Sequence, residues 1–359
     1  MKPYLSYSLI LAAAASGMAF GAATAYTTPV GYVSITVPAN ADTTVTPPLE
    51  RATVLAAASS SIAGNVIGAS GLTPNAYVTT QCYLVATSGP LLGKSYQVTA
   101  NDAVSITVNG GATTLQVQGF VSGNTYKVVP YWTLNTLFPG GAGVGTTADA
   151  FNPTAFVFAS STGFGTNKAS AVAYFYCTGD VGNGVVAGWY DANDPFSAPL
   201  DNTKIDLSRM YSIRNPSVTV NSVVVSGQVP NTGTVIPVAV NTAFNDVYLG
   251  APYPIDVSLP NSGLQSAIQG SPDAFNPVEV VFVYNDLGAG FNKAAAVGYF
   301  YCTGDVGNGV VAGWYDANDP FTPPLTGNVI KAGRCLVIRK APYGSAGFVP
   351  WTAPIPYTL

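Results

Sequence analysis

Asp180, Asn183, Asp191, Asn193 and Asp194 gather five oxygen-bearing side chains into one short stretch of chain, and the set recurs as Asp305, Asn308, Asp316, Asn318 and Asp319. Carboxylate and amide oxygens so grouped suit a hard cation, Ca2+ above all. The same residue types also cap turns by bonding their own backbone, with Asp194-Pro195 and Asp319-Pro320 ending a strand. Asp180 with Asp191, or Asp305 with Asp316, is the nearest approach to the carboxylate couple of a glycosidase. Catalysis has little else to draw on. The chain has no histidine, which removes Ser-His-Asp and Cys-His nucleophiles, histidine-ligated zinc and the usual general base. GDVGNG lacks the spacing, the following helix and the Lys-Ser/Thr of a phosphate loop. The expectation is no enzyme and no cofactor, with Ca2+ at the Asp/Asn clusters as the candidate metal ion.

These clusters lie inside YFYCTGDVGNGVVAGWYDANDPF, which occurs unchanged at 174–196 and 299–321. The spacing from Cys177 to Cys302 is 302 − 177 = 125 residues, a domain-sized repeat well beyond solenoid periods. DAFNP at Asp149 returns at Asp273, NKASAVAYF at Asn167 returns as NKAAAVGYF at Asn292, and RMYSIR at Arg209 matches RCLVIR at Arg334. More weakly, SITVN at Ser105 and VVPYWTLNTLF at Val128 find partners in SVTVN at Ser217 and VIPVAVNTAF at Val235. These matches place one repeat unit over 105–216 and a second over 217–342, followed by a tail over 343–359. An N-terminal unit over 26–104 precedes them, and its CYLVATSGPLLGKSYQVTAND run from Cys82 allows a degraded third copy.

Short β-branched and aromatic runs, among them YVSITV, YKVVPYW, VEVVFVY and CLVIRK, alternate with Gly, Pro, Asn and Asp clusters. That pattern predicts an all-β fold of tandem sandwich-like or barrel-like units. Only LERATVLAAASSSIAG, from Leu49, has helical character. Each repeat core reads as a hairpin: an aromatic strand over 175–178, a turn at Asn183-Gly184, and a return strand over 185–190. Strict alternation would put Val185, Ala187 and Trp189 on one face, with Trp189 and Trp314 closing the cores of their units. Arg209 and Arg214, like Arg334 and Arg339, lie five apart and so on opposite faces of a strand, and read as solvated or paired with the repeat aspartates rather than as a binding cleft.

Charged residues are only 8% of the chain, against about a quarter in ordinary globular proteins, while hydrophobic content is 48%. Such a chain folds, and its weakly charged surface offers little repulsion to like molecules. Met1 to Ala25 carries one Lys, an apolar run and an Ala-Thr-Ala stop, the marks of a cleavable signal peptide. Without Lys2 the balance is 12 basic against 17 acidic residues, a net of −5. Nucleic acid is thus a poor partner. No later stretch is long and apolar enough for a membrane-spanning helix, and the Pro-rich ending PWTAPIPYTL argues against an outer-membrane barrel. Export permits disulfides among Cys82, Cys177, Cys302 and Cys335, with Cys302–Cys335 the attractive pairing and buried free thiols the alternative.

Gly-Trp-Tyr followed by an Asp/Asn loop, with AGRCLVIRK at Ala332 to Lys340, resembles an uncharacterised family of secreted proteins of verrucomicrobial bacteria. The resemblance spans most of the chain and implies secretion without any activity to carry over. The expected function is a secreted structural protein of the cell surface or extracellular matrix, its partners being copies of itself or other cell-envelope components. The alternative is a carbohydrate-binding protein using Tyr131-Trp132, Trp351 and Tyr357 as an aromatic platform for glycans.

Overall fold

Alternation in VGYVSITV makes Val30–Val37 a two-faced strand whose Val33, Ile35 and Val37 point inward while Tyr32, Ser34 and Thr36 face solvent. It pairs antiparallel with Asn221–Gln228, which buries Val223 and Val225 on the same side. This two-stranded ribbon covers a five-stranded antiparallel sheet ordered Gly188–Asp191, Val172–Cys177, Phe156–Ala159, Tyr211–Asn215, Ala41–Val45. Val157, Trp189, Tyr211 and Ile213 fill the space between them. Each buried Val or Ile contributes about 1.5–3 kcal/mol before chain entropy is deducted. The computed structural model describes residues 28–322 and 324–358, and the expected signal segment, 1–25, lies outside them.

A second sandwich repeats the plan. Thr234–Val240 pairs with Gly347–Ala353 and covers a sheet ordered Asn245–Gly250, Cys335–Lys340, Val280–Val283, Val297–Cys302, Gly313–Asp316. Ile236, Val238, Val281, Trp314, Ile338 and Trp351 form its core. The architecture is all-β with an internal duplication of sandwiches, and the described residues include two short α-helices, Ala76–Thr79 and Leu134–Leu137.

Strand pairing redraws the expected boundaries. Residues 30–45 belong to the first sandwich and not to an N-terminal unit, 221–228 closes that same sandwich, and the supposed tail supplies Gly347–Ala353 to the second. Between Val45 and Thr133 the chain makes a separate seven-stranded sheet with its own core of Leu84, Val98, Ile106, Phe120 and Val128. Its strand order, 55–58, 125–130, 82–86, 95–101, 105–108, 66–68, 62–63, differs from that of the sandwiches. Cys82 opens a strand whereas Cys177 and Cys302 end theirs, so the likeness around Cys82 is not carried by an equivalent strand position. The Ala-rich run from Leu49 forms strand Leu55–Ala58, because pairing with Thr125–Pro130 overrides helix propensity.

The outer hairpin edges are closed. Leu200 N–H donates to Trp189 O at 2.7 Å, and Leu325 N–H to Trp314 O at 2.8 Å. Pro199 and Pro324 lie so close that a Cβ on Gly188 or Gly313 would stand 2.7 or 2.6 Å from the proline Cβ. Glycine is therefore required there by approach, and the covered edge is barred from strand addition. No described helix is long and apolar enough to cross a membrane.

Candidate functional site

Each repeat hairpin runs from an aromatic strand through a 3-10 turn, Val181–Asn183 or Val306–Asn308, into a short return strand. Gly184 at φ 71° and Gly309 at φ 70° supply the left-handed turn residue. Tyr174 pairs with Asp191 and Cys177 with Gly188, so Asp180 and Asp191 lie at opposite ends of the hairpin. Asp180 accepts from Asn183 Nδ2 at 2.9 Å and Ala150 N–H at 3.3 Å; Asp305 accepts from Asn308 Nδ2 at 2.9 Å and Ala274 N–H at 3.2 Å. Asp191 Oδ1 accepts both the N–H and Nδ2 of Asn193, and Asp316 Oδ1 those of Asn318. Asp194 and Asp319 return a backbone N–H to Asp191 O and Asp316 O. The ten residues thus close four local turns and do not converge. Among the described residues no three acidic, cysteine or histidine side chains come together as a metal cage.

The return strand departs from strict alternation. Val185 packs with Phe175, Cys177 and Tyr190, while Trp189 enters the main core with Val157 and Ile213. The bridge from Asp180 to Val185 ends before the regular pairing resumes at Gly188, and the face changes across that gap. Trp189 and Trp314 are core residues as expected, yet their indole Nε1 atoms find no partner. Trp132 and Trp351 are also interior, 9% and 0% exposed, and donate Nε1–H to Leu49 O and Ser262 O at 2.8 Å. The expected aromatic platform is therefore absent as a surface, because both indoles fill sandwich interiors.

A different pair of aromatics is displayed. Phe151 and Phe196, 49% and 62% exposed, meet edge to face with centroids 5.0 Å apart, and Phe275 and Phe321, 48% and 67% exposed, repeat this at 5.1 Å. Asp149 fixes the first by accepting Phe151 N–H at 2.9 Å and Asn152 Nδ2 at 2.7 Å, and Asp273 does the same for Phe275 and Asn276 at 2.8 and 2.6 Å. The asparagine side chains, and then the phenylalanine N–H groups, hold both carboxyls below their ordinary range. Val186 and Val311 on the return strands are exposed as well. Sequence reading missed these phenylalanines, although DAFNP and DPF, both duplicated, were their signal.

The two sandwiches grip each other reciprocally. Arg214 Nε and Nη2 donate to the two carboxylate oxygens of Asp42 at 2.8 Å, and Nη2 also reaches Asn292 Oδ1 of the second sandwich at 2.8 Å. Arg339 holds Asp246 at 2.8 and 2.9 Å and reaches Asn167 of the first at 3.2 Å. Asn167 and Asn292 adopt left-handed φ of 49° and 51°, a conformation asparagine tolerates. Arg214 and Arg339 are paired, but with Asp42 and Asp246, while Arg209 and Arg334 face Asp206 and Asp286 at 4.0 Å, and none of these is a repeat aspartate of the hairpins.

All four cysteines are buried free thiols, so Cys302–Cys335 is not a disulfide. Both glutamates are engaged by lysine, Glu50 by Lys127 at 2.5 Å and Glu279 by the fully buried Lys340. No family model matches the chain, and no curated protein or solved structure matches it either.

Proposed function

We propose that the protein is an exported structural component of a cell surface or extracellular matrix whose copies associate through the two displayed phenylalanine pairs. The observation that carries this reading is the recurrence of one exposed aromatic pair, on equivalent turns, in both sandwiches. Identity between the copies extends to Val186, Phe196, Val311 and Phe321, exposed positions on which core packing makes no demand. Exposed apolar patches of this kind mark interaction surfaces. Two per chain make the molecule divalent, and divalence supports chains and layers where one patch would stop at a pair.

Several features agree. The chain carries few charges to keep neighbours apart. Proline-bearing loops close the hairpin edges, which directs association to side chains rather than to strand addition. Asp180 and Asp149 accept the N–H groups of Ala150 and Phe151, so both carboxylates serve the turn that presents Phe151. Export itself rests on the apolar leader at 1–25. Light scattering on the full chain across a concentration series tests the proposal: mass should rise with concentration in wild type and stay monomeric in Phe151→Ser/Phe196→Ser/Phe275→Ser/Phe321→Ser. A wild-type monomer throughout would overturn it.

A further inference from the structure

The reciprocal grip has one gap. In the first sandwich the outward N–H groups of edge strand Ala41–Val45 and its continuation are all accepted by the second: Asp42 by Gly290 O at 2.9 Å, Thr44 by Asp286 Oδ1 at 2.7 Å, Thr46 by Gly333 O at 3.0 Å. Asp286 takes the Thr44 hydroxyl too, at 2.6 Å. In the second sandwich, edge strand Asn245–Gly250 is placed the same way, with Asp246 N–H given to Gly165 O at 2.9 Å and Gly250 N–H to Ser208 O at 3.2 Å. Gly165 and Ser208 stand 125 residues before Gly290 and Gly333. Tyr248 lies between Asp246 and Gly250, and its N–H therefore faces the same way. The residue 125 before Asp286 is Ser161, so the carboxylate that completes the network on one side has no counterpart on the other.

The cations that accompany Asp286 are nevertheless kept. Lys293 and Arg334 flank it, Arg334 Nε at 4.0 Å, and their equivalents Lys168 and Arg209 line a cleft of about 310 Å³ together with Ser161, Asp206, Asn245 and Tyr248. Lys168 Nζ donates to Gly163 O and, at 3.4 Å, to Asn245 Oδ1, which leaves one of its three N–H groups over. Arg209 spends Nε and Nη2 on Ser160 O, and its Nη1 faces the Asp206 carboxylate as an ion pair at 4.0 Å, longer than a hydrogen bond, which leaves Nη1 with donors to give. Burial draws the Lys168 ammonium below its ordinary range, opposed by the nearby Asp246 charge.

We propose that this cleft binds a small carboxylate, of the size of a single sugar acid, with its carboxyl group where Asp286 sits in the twin, bonded to Tyr248 N–H and faced by Lys168 and Arg209. A volume of about 310 Å³ exceeds what one carboxyl group needs and is at the lower end for a small-molecule site. Carboxylate is the group chosen because the twin position is filled by one, Asp286, which accepts the Thr44 N–H at 2.7 Å and the Thr44 hydroxyl at 2.6 Å.

The test titrates the full chain with glucuronate, acetate, glucose and sulfate, following the Tyr248 amide by NMR and the melting temperature. Saturable shifts with glucuronate, weaker ones with acetate and none with glucose are expected at concentrations up to about 20 mM. Ser161→Asp supplies the missing carboxylate from within; it should weaken glucuronate binding at least about tenfold while keeping or raising the melting temperature. Lys168→Gln is the second variant and should weaken binding without supplying an internal anion. An unresponsive Tyr248 amide with both carboxylates, equal shifts with glucose, tighter binding of sulfate than of glucuronate, or undiminished glucuronate binding in a folded Ser161→Asp or Lys168→Gln chain would each overturn the proposal.

Discussion

Asn292 of the second sandwich seats its backbone N–H on the carboxylate of Asp42 in the first, at 2.6 Å, and Asn167 returns the same bond to Asp246 at 2.7 Å. The relationship is an internal two-fold: each sandwich gives the other an asparagine turn and receives one. A contact made twice between the two sandwiches fixes their orientation more firmly than either bond alone.

Removing one carboxylate tests that lock. Asp246 is buried, and burial alone would raise its pKa; the Arg339 bonds, the Asn167 N–H and the charges of Arg339 and Lys168 outweigh burial and leave it lowered from 3.8. Asp246→Asn should cost about 2–4 kcal/mol at neutral pH, since it leaves Arg339 and an N–H short of their acceptor. A depressed folded pKa contributes stability above the unfolded value and loses it as pH falls through the folded one. The gap between wild type and variant, measured by chemical denaturation, should therefore hold from about pH 5 to about pH 8, where the carboxylate is ionised in both states, and shrink below about pH 4.

Tryptophan replacements should divide by hydrogen bonding. Trp314→Phe removes an indole N–H that is buried without a partner, whereas Trp351→Phe removes one that donates to Ser262 O at 2.8 Å. Both lose apolar volume from the same core. Trp351→Phe should be the more destabilising by about 1–3 kcal/mol in urea titrations.

Thiol chemistry offers an independent check on the core. Burial pushes Cys82 up to about 11, with Arg51 pulling slightly the other way, and burial raises Cys335 well above its ordinary value. A thiol-reactive reagent at about pH 8 should find none of the four cysteines in the native protein, and all four once it is unfolded without reductant.

Calcium should leave the protein unmoved. Asp180, Asp191, Asp305 and Asp316 each have a carboxylate oxygen turned to neighbouring N–H groups of their own turns, and the clusters at the two ends of each hairpin do not converge. Melting curves in millimolar Ca2+ and in chelator are expected to superimpose, and a rise in melting temperature with Ca2+ would return the hairpin clusters to consideration as a metal site.

What could be read from the sequence followed the range of the interactions. The hairpin of 174–196 is local, and its aromatic strand, glycine turn and buried Trp189 were legible in pattern and turn chemistry. Pairing of Val30–Val37 with Asn221–Gln228 spans nearly the whole first unit, and no residue type announces it. The inserted sheet between Val45 and Thr133 hid that partnership and drew false matches to strands at Ser105 and Val128. Trp132 read as a surface aromatic because the residues covering it, Leu49 among them, come from elsewhere in the chain. Asp42 and Asp246 were invisible as a pair of hooks because their surroundings differ in everything except the strand position they occupy.

Valence is the property on which the functional account turns. Sedimentation velocity on wild type and on variants with one or both phenylalanine pairs replaced by serine measures it directly. The account predicts open-ended growth with concentration in wild type, arrest at dimers in Phe151→Ser/Phe196→Ser and in Phe275→Ser/Phe321→Ser, and monomers when all four are changed. Identical sedimentation of all four proteins, at every concentration, would contradict it.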